Sequence, residues 1–285
     1  MVVMMVETER PYLVMGLLDY DSIAFAIGER LVELGGRVIY TAQSERLSRA
    51  FLERGARDGV RAREALDLRF CDVAVEEEIA GLFAEIGPLA GVVHSIAYAN
   101  PRTCMGEEFH TDAVEDILLS YRISSVSFAR VLRHAAANLT PGGAALALTF
   151  DTRRVYPYYN WMGVHKAALE AIVRALARRH GRDLVRVNAI SAGPLHTRAA
   201  SKIPGFKRLD AIWSRSSPLP WDTTTDQREV ANAAAFLLGP LSQKITGQIL
   251  YVDGGASIVG GELQTFERRS TDSASDHTSR SSERY

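Results

Sequence analysis

Short apolar runs alternate along the chain with longer stretches in which apolar residues recur every three or four positions. The runs at 12–16, 37–41, 68–71, 89–94, 144–150, 185–190 and 249–252 carry no polar alternation. Strands of that kind, separated by amphipathic helices, belong to a parallel sheet covered on both faces, so all seven are predicted as buried strands. Gly35 and Gly36 stand where the first helix should close, and Pro141, Gly142 and Gly143 break the long helix before the fifth strand. The fold class that follows is α/β, a single-domain Rossmann fold with a seven-stranded parallel sheet and helices on both faces.

Composition narrows the picture. With 285 residues, 47% hydrophobic and 24% charged, the chain suits one large domain, placed at 10–262. From about Glu262 onward Ser, Arg, Asp and Thr take over, and 263–285 is expected to be a disordered tail. A net charge of −1 argues against a general nucleic-acid role. Cys71 and Cys104 lie in no metal-ligand spacing and read as buried thiols of a reduced compartment. The opening apolar residues are too few for a secretory signal, and no apolar run approaches the ~20 residues a membrane span needs. The expectation is a soluble, cytoplasmic protein with no metal and no membrane partner.

Candidate chemistry begins after the first strand, where Gly16 leads through Asp19 and Asp21 to Ser22 and Ile23 at a helix start. Free N–H groups and a partial positive charge at that start suit a diphosphate, although no G-x-G-x-x-G is present and Gly16 reads equally as a plain strand-to-helix turn. Asp72 and Val73 end the third strand, as an adenine contact or a helix N-cap. Ser95, Ile96 and Ala97 end the fourth, where small residues permit close approach. Gln43 to Arg46 after the second strand offers neither the acid that binds a ribose diol nor a paired Arg/Lys for a 2′-phosphate, which favours NADH over NADPH.

Tyr159 and Lys166 are seven residues apart in what reads as a helix. Seven steps fall ~20° short of two turns and rise ~10 Å, so both side chains are expected on one face. Only four of the 33 basic residues are lysines, which makes Lys166 unlike filler.

These segments together resemble the bacterial enoyl-acyl-carrier-protein reductases of type II fatty-acid synthesis, an atypical branch of the short-chain dehydrogenase/reductase family. The likeness runs from about 12 to 263 and is carried by 22–25 (SIAF), 71–73 (CDV), 94–97 (HSIA), 123–125 (ISS), 159–170 (YNWMGVHKAALE), 186–194 (RVNAISAGP) and 252–255 (VDGG). Most short-chain reductases place Tyr three residues closer, at the position of Met162; a Tyr-x6-Lys spacing points to this branch. The resemblance implies NADH-dependent reduction of the trans-2 double bond of an enoyl thioester on acyl carrier protein or coenzyme A, in fatty-acid or related specialised metabolism. It makes Tyr159 and Lys166 catalytic. It assigns the cofactor to Gly16, Ser22, Ile23, Gln43, Asp72, Val73, Ser95, Ile96, Ala97, Lys166, Gly193, Pro194, Leu195 and Thr197. The acyl pocket falls to Tyr98, Phe150, Tyr159, Met162, Ala199, Ile203 and Phe206. Phe150 stands where many relatives carry a second tyrosine. A homotetramer built through helices at about 107–138 and 159–180 and the last strand is also implied.

The substrate-covering lid should occupy about 194–220. It holds Arg198, Lys202, Lys207, Arg208 and Arg215 against one acid, Asp210, a landing site for an acidic carrier protein or simply a solvated face. Ile203, Phe206, Leu209, Ile212 and Trp213 recur at helical spacing between them, facing either the acyl tail or the core. Asp19, Asp21, His165, His196 and Arg198 depart from the family pattern, and His165 is expected on the helix surface, with a pocket or interface contact as the other reading. The rival functions are a 3-oxoacyl or carbonyl reductase, which Met162 disfavours, and a non-catalytic NAD-binding regulator, which retention of Tyr159 and Lys166 disfavours.

Overall fold

The computed structural model describes residues 5–52, 65–106, 108–139 and 141–260; the predicted tail at 263–285 lies outside them. Seven strands form, β1 (Tyr12–Met15), β2 (Val38–Ala42), β3 (Leu68–Phe70), β4 (Gly91–His94), β5 (Ala144–Thr149), β6 (Arg186–Ala192) and β7 (Ile249–Val252). They pair in parallel in the order β3-β2-β1-β4-β5-β6-β7. The chain leaves β1 toward one edge and returns at β4 toward the other, so a crevice opens at the C-terminal ends of β1 and β4.

The expectation of seven buried strands holds for the centre and fails at the edges. Every residue of β1, β4, β5 and β6 is buried, whereas Arg69 and Phe70 of β3 are exposed and β7 is half-buried. Edge strands have a neighbour on one side only, and an apolar composition does not reveal which runs will stand there.

Side chains alternate between the two faces as the strand repeat requires. Tyr12 and Val14 pack with α1 (Ile23–Glu33) and α8 (Gln227–Leu238). Leu13 and Met15 join α3 (Glu76–Glu85), α5 (Ser127–Leu139) and α6 (Asn160–His180) on the opposite face. The first helix is closed at both ends from sequence: the Phe25 N–H donates to Ser22 Oγ (3.3 Å), Gly35 N–H donates to Val32 O (2.9 Å) and Gly36 N–H to Leu31 O (2.8 Å), with Gly35 at φ +90°.

The helix expected from about 107 starts later, as α4 (Val114–Tyr121), and passes through a π-helical turn at Arg122–Val126 before α5. Ahead of it the backbone bonds to nearby side chains, His110 N–H to Glu108 Oε1 (2.9 Å) and Ala113 N–H to Thr111 Oγ1 (3.2 Å), a local arrangement that competes with helix. In the segment predicted as a lid, a short turn at Ala200–Lys202 precedes α7 (Phe206–Ser216). The remaining helix, α2 (Glu45–Leu52), follows β2. Among the described residues no helix is long and apolar enough to cross a membrane, no cluster suited to a metal occurs, and both cysteines are free and buried.

Candidate active site

The residues predicted to hold a cofactor lie along the C-terminal edge of the sheet, on both sides of the crevice. Gly16 follows β1 at φ +95°, and a Cβ there would lie 2.3 Å from Ser95 O, so glycine is required for the turn after β1 to pack against the end of β4. Ser22 caps α1, and Ile23 begins it, directly after that turn. Ile96 and Ala97 continue from Ser95 at the same edge. Beyond β2, Gln43 Nε2 donates to Asp72 Oδ2 (2.9 Å), which joins the ends of β2 and β3. Asp72 does not cap α3, whose N-cap is Val75 without a side-chain bond. Instead its Oδ1 accepts from Ala74 N–H (2.8 Å), and Val73 beside it is buried. Gly193, Pro194, Leu195 and Thr197 leave β6 at this end of the sheet.

Tyr159 and Lys166 each contact the end of β5, by a different route from the predicted shared helix face. Tyr159 is the N-cap of α6 at φ −115°, not an internal helical residue. Tyr158 before it sits at φ +69°, a region costly for a residue with Cβ and tolerated where surrounding structure imposes it. The Tyr159 ring packs 5.0 Å from Phe150, while Lys166, 6% exposed, donates from Nζ to Leu148 O at 2.8 Å. Leu148 lies in β5 and Phe150 directly follows it, so both contacts are made at the C-terminal end of that strand. Burial pushes the Tyr159 phenol above its ordinary range, keeping it a proton donor. It also pushes the Lys166 ammonium down to about 8, against a smaller opposing pull from the Glu170 carboxylate. Glu170 accepts from Thr149 Oγ1 (3.1 Å) and Thr152 Oγ1 (2.8 Å), and burial raises its own pKa. Met162 is 2% exposed on the first turn of α6.

An ammonium with three donors and, among the described residues, one carbonyl partner is suited to hydroxyl acceptors such as those of a ribose. The helix start of α1 at the switch point suits a diphosphate. The residues therefore fit a dinucleotide.

His165 corrects the surface expectation. It is 2% exposed, with Nδ1 2.9 Å from Ser120 Oγ, and that hydroxyl donates to Tyr98 O (2.7 Å). The first turns of α6 are covered by α4 and the π-helical turn, which local sequence does not announce. Burial and then the Lys166 charge push His165 down to about 4, so it is a neutral strut that fixes the segment carrying Tyr98, itself 43% exposed at the crevice rim.

The segment at 194–220, predicted as a lid, buries some of its apolar residues and leaves others partly open. Leu209 and Trp213 are buried, with the Trp213 ring 5.4 Å from Phe150 and 5.3 Å from Tyr156, whereas Ile203, Phe206 and Ile212 are half-buried and Ala199 is exposed. Its basic residues 202, 207, 208 and 215 are exposed. A cleft of about 550 Å³ bordered by Tyr158, Leu209, Ile212, Arg208 and Arg215 opens beside them.

Sequence reading missed several supports. Tyr156 donates to Asp151 Oδ2 (2.8 Å) and stacks edge-on at Phe150 (5.0 Å). Trp213 Nε1 donates to Asp253 O (3.1 Å) and Trp221 Nε1 to Pro194 O (2.8 Å). Arg198 and Asp19, both singled out as departures, are each other's partner at 2.8 Å. Opposite charges on two departures were the available signal, but 179 residues separate them.

Comparison with known proteins agrees with this geometry. The family model described as Enoyl-(Acyl carrier protein) reductase matches residues 16–257. The chain is 38% identical over 256 residues to the Bacillus cereus protein named enoyl-[acyl-carrier-protein] reductase [NADH] FabI, covering 88% of this chain and 98% of that one. It is 36% identical over 252 residues to the Escherichia coli protein of the same name, covering 86% and 93%. Against the Staphylococcus aureus protein, whose name carries [NADPH], it is 38% identical over 252 residues, covering 86% and 96%. A crystal structure of the Bacillus cereus enoyl-acyl carrier protein reductase with NADP+ and indole naphthyridinone superposes with a TM-score of 0.79 at 36% identity, covering 91% of this chain and 100% of that one.

Proposed function

The chain belongs to the enoyl-(acyl carrier protein) reductase family, and from that membership we propose that Tyr159 and Lys166 reduce the trans-2 double bond of an enoyl thioester with a nicotinamide dinucleotide. The observation that carries the assignment is that a half-buried phenol and a buried ammonium both contact the end of one strand, at Phe150 and at the Leu148 carbonyl. A bound reduced nicotinamide would supply the hydride for Cβ of the enoyl group and leave oxidised, and the resulting enolate would take its Cα proton from solvent. Tyr159, its phenol kept protonated by burial, donates a hydrogen bond to the thioester oxygen, where negative charge develops. Lys166 binds ribose hydroxyls and so orients the nicotinamide. Ser22, Ile23 and Thr197 hold the diphosphate, and Gln43, Asp72 and Val73 the adenosine. Phe150, Met162, Ile203 and Phe206 exclude water around the acyl chain. The Tyr156 hydroxyl, committed to Asp151, shapes that pocket rather than donating into it.

NADH is the preferred donor in this reading. Gln43 is tied to an acid, Asp72, and a 2′-phosphate close to that carboxylate would be repelled. The exposed cations at 202, 207, 208 and 215 supply a face for an acidic carrier protein or the phosphates of coenzyme A. A homotetramer through α4, α5, α6 and β7 completes the reading, supported by exposed Val114, Leu118 and Tyr121 on α4; a monomer in sedimentation equilibrium would contradict it.

The test is consumption of NADH, and separately NADPH, with trans-2-octenoyl thioester and with acetoacetyl thioester as the rival substrate. Turnover of the enoyl substrate with NADH, and little of the 3-oxo substrate, is expected. Preference for acetoacetyl thioester would move the chain to carbonyl reduction.

A further inference from the structure

Asp19 lies in the turn between β1 and α1, three residues ahead of the Ser22 cap. Its side chain is 6% exposed, with Oδ1 accepting from Asp21 N–H (3.2 Å) and Oδ2 from Arg198 Nε (2.8 Å). The Arg198 guanidinium also stands 4.6 Å over the Phe51 ring of α2. Arg198 thus reaches the β1 side of the crevice, yet it belongs to the segment that leaves β6.

That segment is fastened at its other end. Gly193 N–H donates to Val252 O (2.9 Å), Pro194 O accepts from Trp221 Nε1 (2.8 Å) and His196 N–H donates to Thr223 O (2.7 Å). In the sheet β6 stands three places from β1, ~14 Å at ~4.8 Å per strand. The chain from Gly193 to Arg198 extends to ~20 Å and therefore crosses the ends of β5 and β4 to reach Asp19. The end of β4, with the start of α1, is where the diphosphate is placed, and the end of β5 is where Lys166 is proposed to hold the ribose.

We propose that the Asp19–Arg198 pair is a clasp that fastens the segment 193–203 across the crevice over the diphosphate, and that Arg198 is a positioning residue for the dinucleotide. This rests on the functional reading above. The pair also answers why an acid is tolerated beside a diphosphate: Arg198 neutralises a carboxylate that, left alone, repels the ligand's two negative charges. The two halves of the pair are therefore unequal. Loss of Arg198 opens the clasp and exposes the lone carboxylate, whereas loss of the Asp19 charge opens the clasp only.

The experiment measures NADH dissociation by fluorescence displacement, with equilibrium affinity, for the full chain and for Arg198→Leu, Asp19→Asn and the double variant. Arg198→Leu is expected to speed release about tenfold, Asp19→Asn to do so less, and the double variant to bind more tightly than Arg198→Leu. Tighter binding by the double variant than by Arg198→Leu is a readout that a merely structural role would not give, since two structural losses would add. An unchanged release rate in Arg198→Leu, or a double variant no better than it, overturns the clasp. If the unaltered protein fails to bind NADH or NADPH, the functional reading itself falls.

Discussion

At the scale of residues, one buried cation governs the account. Burial holds Lys166 at about 8, below the ordinary lysine value, so in the free protein the ammonium is lost as pH rises through about 8. Because the charged form is the one that binds ribose hydroxyls, NADH affinity should be level below pH 7 and weaken through about pH 8. Lys166→Arg, whose charge persists, should remove that inflection, and Lys166→Met should weaken binding about tenfold or more at pH 7. A pH-independent affinity in the unaltered protein would contradict the role. The local spacing of Tyr159 and Lys166 could be read directly, yet the shared helix face it predicted is not how they are placed, because Tyr159 caps α6. The burial of His165 was not legible in sequence, since it depends on Ser120 in a different helix. Nor was the positive φ of Tyr158, which no side-chain pattern encodes.

At the scale of elements, apolar runs announced all seven strands, and glycine pairs announced the end of α1. Their order in the sheet decided what is buried, so β3 and β7 took edge positions that composition did not distinguish. The π-helical turn between α4 and α5 was equally silent in sequence, although its serines do visible work: Ser124 Oγ donates to Tyr98 O (2.8 Å) and Ser125 Oγ to His165 O (2.7 Å). The lid hinges on a tight fit at Gly193, where a Cβ would meet the Trp221 ring at 2.6 Å and Trp213 Nε1 at 2.9 Å. Gly193→Ala must displace one of two buried indoles, at a cost of about 1–3 kcal/mol. Lower thermal stability and a raised KM for the acyl thioester are expected, because both indoles anchor the lid. Unchanged stability and KM together would show that the lid is not held there.

At the scale of the molecule, a doubly wound sheet brings strand ends from across the whole sequence to one side, where the residues proposed to hold cofactor and substrate lie. Asp19 and Arg198, read from sequence as two departures from the resemblance, are joined in one ion pair; a sequence read position by position sees two anomalies where the fold makes one contact. The central claim is that the crevice performs enoyl reduction with Tyr159 as the group that meets the developing charge. It is tested most directly by comparing Tyr159→Phe with the unaltered protein for NADH affinity and for turnover of trans-2-octenoyl thioester. Turnover reduced by about 10²-fold or more, with NADH affinity within about twofold, is the predicted result. Full turnover in Tyr159→Phe would contradict the account.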